Sequence, residues 1–471
     1  MIKKSLLHPL LYGLSIALMK GISLLMLPFI AHYLSPDEFG KVEILSSLTV
    51  IGSVLVGLGL EDSLYRFAGM TTHRHKRRYL ASVIFTLASV ITVISIVVIL
   101  LFGAYLQPII PGNIPTQAIL LALSIVALES MISVPLGWLR MNDRAVAFFV
   151  ATTGRVILQA GLTLVLLQYA ADVTSIFIAG LLSALAQMVF LCVLQLQDCR
   201  FTLNFTLTKR VFSYSLPILI SGLVGFVLMG LDRWFIASLS TLEAVAIYGV
   251  AAKFALGVVL LLQPYTMWWS PQRFQALQAP DGTTQVVQKI CLGLGILTVA
   301  TFVVITCSTW LVGILMPSQY HAAISVLWVL AVAMAGKEAA ELVNIGCFIH
   351  DSTRLQMHLN IMGAIIGVLA MSLLIPMYGA VGAAWALVIA QWSKCVGFYY
   401  YSQQQLPLAY PLKWIVGALA LMSTLAAVIV WQFTPFSQVV LCVICLIIIA
   451  GSCWWLRDTQ WSLIINRGGS C

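Results

Sequence analysis

Apolar runs long enough to cross a bilayer recur along almost the whole of this 471-residue chain, and they limit its possible folds more than any other feature. A transmembrane helix needs roughly 20 consecutive, mostly apolar residues. Polar turn sequences such as Ser-Pro-Asp-Glu-Phe-Gly at 35–40 and Pro-Gly-Asn at 111–113 separate the runs. The pattern predicts an all-α polytopic membrane protein of about fourteen transmembrane helices, near residues 7–34, 41–65, 80–106, 116–138, 147–169, 173–196, 211–237, 245–271, 288–315, 323–347, 355–376, 381–402, 412–432 and 437–456.

The composition agrees with a chain that is surrounded by lipid. Hydrophobic residues make up 61% of the sequence and charged residues only 9%, whereas soluble domains carry about 25% charged residues. So few charges cannot cover a water-exposed surface at this length. Lys3 and Lys4 precede an apolar run that continues to about Leu34. That run is too long for the apolar region of a signal peptide, and it predicts a first spanning helix.

No motif for catalysis or for a cofactor is found in the sequence. A nucleotide-binding Gly-x-x-x-x-Gly-Lys-Ser/Thr pattern and a zinc-binding His-Glu-x-x-His pattern are both missing. The ten cysteines all lie at or after Cys192, mostly in apolar runs. We interpret the Cys442-x-x-Cys445 pair as lipid-buried packing rather than a metal or redox site. We therefore expect no enzyme, no cofactor, no metal site and no disulfide framework.

The distribution of positive charge predicts the orientation. With the N-terminus inside, about eighteen lysines and arginines fall in cytoplasmic segments, and only Lys41 falls in an outer one. Both termini of this inner-membrane protein are then predicted to be cytoplasmic. We therefore attribute the net charge of +9 to residues that set the membrane topology and attract anionic membrane lipid. We expect no nucleic-acid partner. The basic cluster at 71–78 is interpreted as a topology anchor, or alternatively as a contact with acidic headgroups or a cytoplasmic protein.

A weak internal repeat divides the helices into two groups. Leu-Ser-x-x-Glu-x-x-x-Val at 34–42 resembles Leu-Ser-x-x-Glu-x-x-x-Ile at 239–247, and Gln-Tyr-Ala at 168–170 resembles Met-Tyr-Gly at 377–379. Both pairs are separated by six helices, and an even number of spans makes the repeats parallel. We predict an N-lobe at 1–200 with helices one to six, a C-lobe at 201–403 with helices seven to twelve, and helices thirteen and fourteen with a cytoplasmic tail at 404–471.

We single out ten charged residues inside the predicted spans. Each one costs roughly 2.5–3.5 kcal/mol if it faces lipid, so we expect them to face the protein interior or a wet cavity. The cations outnumber the anions, and such an interior attracts an anionic substrate. The cations are Lys20, Arg155, Arg233, Lys253, Lys337 and Lys394, and the anions are Glu129, Asp232, Glu338 and Glu341.

Spacing predicts which of these charges pair within one helix. Lys337 and Glu341 are four residues apart and can meet on one face, whereas Glu338 should point elsewhere. Asp232 and Arg233 are adjacent, so they should diverge by about 100° and not simply neutralise each other. A proton or ion site needs a poorly solvated carboxylate, and the candidates are Glu129, Glu338 and Asp232. The alternative for each is a static structural ion pair.

Several longer motifs resemble a known family. Gly-Leu-Gly-Leu-Glu-Asp-Ser-Leu-Tyr-Arg-Phe at 57–67 follows the 34–40 segment, and the second half contains Tyr-Ser-Leu-Pro at 214–217 and Leu-Asp-Arg-Trp-Phe-Ile at 231–236. Tyr-Gly-Ala-Val-Gly-Ala-Ala at 378–384 adds a turn of the same type. Over nearly its whole length the chain resembles the polysaccharide transporters, or Wzx-type flippases, of the multidrug/oligosaccharidyl-lipid/polysaccharide exporter superfamily.

The resemblance implies a function that the composition does not show. Such proteins move undecaprenyl-pyrophosphate-linked oligosaccharide repeat units to the periplasmic leaflet by alternating access, driven by an ion gradient, for O-antigen, capsule or exopolysaccharide synthesis. The resemblance implies that the six interior cations bind the pyrophosphate, and that a polymerase and a chain-length regulator are partners. The alternatives are a lipid II flippase, a multidrug or cation antiporter, and a non-transporting scaffold or membrane polymerase.

Overall fold

The computed structural model describes residues 2–71, 73–278, 280–348 and 354–410, and helices are the only regular elements in these ranges. Contacts divide the chain into two units, Met1–Ala246 and Ile247–Cys471. Helix α11, Leu242–Ala255, contains the boundary. The predicted helices thirteen and fourteen, near 412–432 and 437–456, lie outside the described residues together with Cys442 and Cys445. The lobe boundaries derived from the sequence repeat stay a prediction.

Ten helices precede α11 in the first unit. They are α1 Ile2–Tyr33, α2 Pro36–Gly57, α3 Leu60–Gly69, α4 Arg74–Phe102, α5 Thr116–Ala127, α6 Glu129–Met141, α7 Ala145–Tyr169, α8 Val173–Asp198, α9 Phe205–Met229 and α10 Leu231–Leu239. Polar caps explain several of the starts. Asp172 accepts a hydrogen bond from the backbone N–H of Ser175 at 2.9 Å, and Asn204 accepts one from Leu207 at 2.9 Å.

Five helices follow α11 in the second unit. They are α12 Gly257–Trp269, α13 Arg273–Leu277, α14 Gly282–Leu315, α15 Ala323–Val343 and α16 Arg354–Gln405. Helix α16 contains two spans, because Gly379 has a non-helical backbone with a φ of 55° that only glycine adopts readily. In this unit α15 packs on α14 and α16, and α12 packs on α14.

Eleven helices in the described part of the chain are long and apolar enough to cross a membrane, with both spans of α16 counted as one. Apart from that merger, they coincide with the first twelve predicted helices. The all-α polytopic class predicted from the sequence is therefore confirmed.

Four of the predicted helices are interrupted rather than continuous. The predicted helix at 41–65 is split into α2 and α3, and the one at 116–138 is split into α5 and α6. The predicted helix at 211–237 starts earlier, at Phe205, and breaks at Gly230 into α9 and α10, and α11 and α12 are separated at Leu256. Hydropathy averages over these breaks because the residues on both sides are equally apolar.

One buried carboxylate holds several helix ends of the first unit together. Asp198, the last residue of α8, accepts hydrogen bonds from Arg78 of α4 at 2.9 Å and from Trp138 of α6 at 3.3 Å. Arg144, just before α7, lies 3.0 Å from its second oxygen. The ends of α4, α6 and α8 and the start of α7 therefore share one anchor point, which consists of a single charge with two guanidinium partners.

Candidate functional site

The charged residues within the spans form three clusters, two in the first unit and one in the second. The first cluster consists of Glu43 in α2 and of Asp232 and Arg233 in α10. Glu43 and Asp232 are only 3% and 2% exposed. Arg233 Nη1 lies 2.8 Å from Asp232 Oδ1, and Arg233 Nε lies 3.5 Å from Glu43 Oε2. The arrangement is a buried ion-pair cluster that joins α2 to α10.

The first cluster corrects the prediction that Asp232 and Arg233 cannot neutralise each other. The Asp232 carboxylate accepts both the backbone N–H and the Nη1–H of Arg233, each at 2.8 Å. The 100° divergence concerns only the Cβ directions, and the long arginine side chain folds back over its own backbone to reach the carboxylate. Glu43 was missed, although it lies within the predicted span at 41–65, where an acidic residue is itself a signal.

Uncharged contacts reinforce this contact between α2 and the α9–α10 break. Ser47 donates a hydrogen bond to the carbonyl oxygen of Gly230 at 3.0 Å, and Trp234 Nε1 donates to Ser47 Oγ at 2.7 Å. The interrupted backbone at Gly230 is thus partly satisfied by a side chain of another helix, as the low polarity of a membrane interior requires.

The second cluster surrounds the break between α5 and α6. Glu129 is the first residue of α6, and the charges that act on it are those of Arg155 in α7 and Glu61 in α3. Arg155 Nη1 donates to Gln187 Oε1 of α8 at 2.9 Å. Among the described residues Glu129 has no cation within the 4.0 Å of a salt bridge. Glu129 therefore has a cationic neighbour without a direct ion pair.

The third cluster lies in the second unit, on α15 and the second span of α16. Lys337 Nζ lies 3.8 Å from Glu338 Oε1, and Glu338, Glu341 and Lys337 all act electrostatically on Lys394, which is 7% exposed. This finding corrects the predicted Lys337–Glu341 pair. Glu341 is exposed and accepts a hydrogen bond from Asn344 Nδ2 at 2.9 Å, so Lys337 pairs instead with the adjacent Glu338.

The other two cations of the predicted set lie on α1 and α11. Lys20 of α1 is exposed, and Lys253 of α11 is half-buried. Of the six cations, the structure therefore brings Arg155 near Glu129, Arg233 onto two carboxylates, and Lys337 and Lys394 together. No group of three potential metal-binding side chains occurs in the ranges that the structure describes.

The two glutamates proposed for ion coupling occupy corresponding positions along the chain. Glu129 and Glu338 are 209 residues apart, and so are Ala145 and Arg354, which begin the next long helix in each half. The sequence echo between 168–170 and 377–379 has the same separation. Both carboxylates precede that helix by sixteen residues, so the two glutamates would be equivalent in the repeat that the sequence predicts.

Solved structures with a similar fold are transporters. The lipid II flippase MurJ in an inward closed conformation is similar at a TM-score of 0.71 and 11% identity, over 97% of this chain and 100% of that one. An inward-facing multidrug resistance MATE family transporter of the MOP superfamily follows at a TM-score of 0.59 and 15% identity, over 85% and 94%. A Vibrio cholerae MATE transporter gives 0.55 and 15%, over 86% and 98%. At these identities the likeness concerns the fold.

Comparison of the sequence with known families identifies the family more closely than the fold does. No curated protein matches the chain. Residues 9–278, more than half of the chain, match the family described as polysaccharide biosynthesis protein, which confirms the resemblance seen in the motifs, and the chain therefore belongs to that family.

Proposed function

We propose that this protein is a flippase that moves undecaprenyl-pyrophosphate-linked oligosaccharide repeat units from the cytoplasmic to the periplasmic leaflet of a bacterial inner membrane. The family is one of polysaccharide biosynthesis, and the similar structures include a flippase for another lipid-linked precursor. The repeat units would serve O-antigen, capsule or exopolysaccharide synthesis, with a polymerase and a chain-length regulator as partners acting on the product.

The observation that carries the proposal is the presence of buried cations within membrane-spanning helices. Lys394 is 7% exposed, and Arg155 is half-buried beside Gln187. Charges at such positions are costly in a membrane protein, and they therefore point to a functional site. A pyrophosphate is the group that such cations bind well, since guanidinium and ammonium groups form charge-assisted hydrogen bonds to phosphate oxygens.

The contacts of each cation decide whether its substitution can test substrate binding without also unfolding the protein. Removing Arg233 takes its guanidinium from two buried carboxylates, so loss of transport would be accompanied by loss of folded protein. Lys20 and Lys253 are tested instead, because Lys20 is exposed and Lys253 is only half-buried. We propose that Lys20 in the first unit and Lys253 in the second each act as a contact for the pyrophosphate during transport.

The experiment uses purified protein in proteoliposomes that contain a fluorescent polyprenyl-pyrophosphate-linked oligosaccharide. Translocation is read as the fraction of sugar that an added glycosidase can cleave. We expect Lys20→Ala and Lys253→Ala to lower the flipping rate at least tenfold. Lys41→Ala, which removes a cation that is about one-fifth exposed and paired with Glu38 at 2.6 Å, should leave the rate unchanged. A wild-type protein that moves lipid II and not the oligosaccharide-linked lipid would contradict the proposed cargo.

We further propose that an ion gradient drives the transport, with Glu129 and Glu338 as ion-responsive groups and Asp232 as a third candidate. Glu129 has Arg155 nearby without a direct ion pair, and Glu338 lies 3.8 Å from Lys337, with Lys394 as a further cationic neighbour. Neither carboxylate therefore makes an ion pair as short as the one between Asp232 and Arg233, which are 2.8 Å apart. This makes Asp232 the weaker of the three candidates.

Glutamine variants test the coupling. Glu129→Gln and Glu338→Gln should bind the cargo but lose substrate-dependent proton or sodium flux in proteoliposomes, with normal protein levels. Asp198→Asn, which removes a buried carboxylate at the end of α8, is the comparison for purely structural loss and should lower the amount of folded protein. Normal flux from both glutamine variants would remove these residues from the coupling mechanism.

A further inference from the structure

The segment between α8 and α9 is fastened along one stripe of α4. The backbone N–H of Arg200 donates to Ser82 Oγ at 3.1 Å, and that of Thr202 donates to Thr86 Oγ1 at 2.8 Å. At its end, Asn204 Nδ2 donates to the hydroxyl oxygen of Tyr79 at 2.9 Å. We call residues 199–204 the strap.

The stripe under the strap continues into the basic start of α4. Residues 75, 79, 82 and 86 follow helical spacing of three and four, so they lie on one face. His75 and Lys76 are exposed one turn before Tyr79. The strap therefore ends one helical turn from the basic cluster at 71–78, although the two segments are more than 120 residues apart in sequence.

The strap itself presents apolar and cationic side chains outward. Phe201 stacks on the buried Phe85 with ring centroids 5.5 Å apart, yet it remains 61% exposed. Leu203 is 63% exposed, and the side chain of Arg200 is exposed as well. Because another helix satisfies two of its backbone N–H groups, this extended segment can place such side chains in a nonpolar layer at reduced cost.

The first turns of α9 show the same mixture. Phe205, Lys209 and Phe212 are exposed at helical spacing, and the exposed stripe continues through Leu216 and Ile220. Within this otherwise apolar stripe Lys209 is one turn from the helix start. A lysine at that depth extends its ammonium group to the phosphate layer while its methylenes stay among apolar groups.

We propose that the strap, together with the first turns of α4 and α9, is a binding site for anionic phospholipid headgroups of the cytoplasmic leaflet. Arg200 and Lys209 contact the lipid phosphates, and Phe201, Leu203 and Phe205 lie at the boundary of the acyl chains. Charge complementarity identifies the partner, because the exposed cations are interleaved with large apolar side chains on one continuous surface. A soluble acidic partner would leave those apolar side chains in water.

The site is separate from the transported cargo and does not rest on the proposed function. It would hold the first unit at a fixed depth, because the strap is anchored to α4 by three hydrogen bonds. Basic side chains near a membrane surface each strengthen binding to anionic lipid about fivefold. Two of them should together contribute roughly 25-fold.

The test uses the full-length protein in neutral detergent micelles and counts bound lipids by native mass spectrometry. Phosphatidylglycerol and phosphatidylcholine are titrated separately. We expect the wild-type protein to prefer phosphatidylglycerol, and the double variant Arg200→Gln/Lys209→Gln to bind it roughly 25-fold more weakly with unchanged phosphatidylcholine binding. Arg200→Lys/Lys209→Arg keeps both charges and should retain the preference.

Lys289→Gln is the matched control, because it removes one cation from the same predicted side of the membrane, where Lys289 lies over Trp268 at 5.0 Å. It should bind phosphatidylglycerol within twofold of the wild-type protein. Equal affinity of the wild-type protein for both lipids, or no loss in the Arg200→Gln/Lys209→Gln variant, would overturn the proposal. The proposal would also be overturned if a polyprenyl pyrophosphate, and no other lipid, displaced the bound phosphatidylglycerol, because the site would then bind the cargo.

Discussion

At the scale of single residues, the environment of a charge decides what the charge can do. Arg233 and Lys253 look equivalent in the sequence, since both are cations inside apolar runs. In the structure Arg233 bonds Asp232 and also lies beside Glu43. A guanidinium that is already shared between two carboxylates is less available to a phosphate, so Arg233 is first of all a link between α2 and α10.

The Glu43–Arg233 contact should contribute measurably to stability. Glu43→Gln and Arg233→Gln should each lower the free energy of unfolding by about 3 kcal/mol, because each leaves a buried charge with one partner fewer. The double variant should be less destabilised than the sum of the two, with a coupling energy of about 1–3 kcal/mol. Denaturation with SDS in mixed micelles measures these values.

Lys41→Gln is the control for that experiment. Lys41 pairs with Glu38 on the same helix, and both side chains are about one-fifth exposed. A pair of this kind contributes no more than about 1 kcal/mol. Additive effects of the Glu43 and Arg233 substitutions would show that the two side chains do not depend on each other.

At the scale of helices, the break between α2 and α3 is the most specific feature. Leu58 and Gly59 are both left-handed, with φ of 47° and 60°. Ser130, the second residue of α6 after the α5–α6 break, donates through Oγ to the carbonyl oxygen of Val56 at 2.5 Å. The interruptions of two predicted spans therefore lie side by side, and a side chain from one satisfies backbone freed by the other.

Substitution of Gly59 should reveal the need for this break. Gly59→Val forces a β-branched residue into a left-handed conformation, at a cost of about 1–2 kcal/mol, and its Cβ would lie 3.0 Å from Ile218 Cγ2. We expect a lower melting temperature and reduced transport. Ile218→Ala in the same chain should restore only the steric part, because the backbone strain remains.

Gly57 provides a comparison two residues away. A Cβ at Gly57 would meet nothing within 4 Å, and its backbone is part of α2. Gly57→Val should therefore be much milder than Gly59→Val in the same melting experiment. Equal effects of the two substitutions would mean that the left-handed geometry of the break is not required.

At the scale of the whole molecule, the number of spans decides which side each loop faces. Seven candidate spans lie between His75 and Ser318. An odd number places these two residues on opposite sides of the membrane. The positive-inside rule assigns the basic cluster at 71–78 to the cytoplasm, so the segment around Ser318 should be periplasmic.

Cysteine labelling in intact cells tests this topology. In a variant without the ten native cysteines, Ser318→Cys should react with an impermeant maleimide, and His75→Cys should react only after the cells are opened. Both positions are exposed, so burial does not limit the reaction. Labelling of His75→Cys from outside would show that the orientation is wrong, and labelling of both would show that the span count is wrong.

The sequence by itself determined the class of protein, the positions of the described spans and the family, while the structure alone decided where spans break and which charges pair. Hydropathy is a property of contiguous residues, so the spans that contain α2, α5 or α15 could be predicted from the chain. Ion pairing depends on neighbours from other helices and on side chains long enough to fold back. Spacing within one helix therefore predicted Glu341 as the ion-pair partner of Lys337, whereas the structure pairs Lys337 with Glu338. It also missed Glu43 as a partner of Arg233. The breaks at Leu58 and Gly230 were hidden for the same reason, because their freed backbone groups are satisfied by serines from other helices.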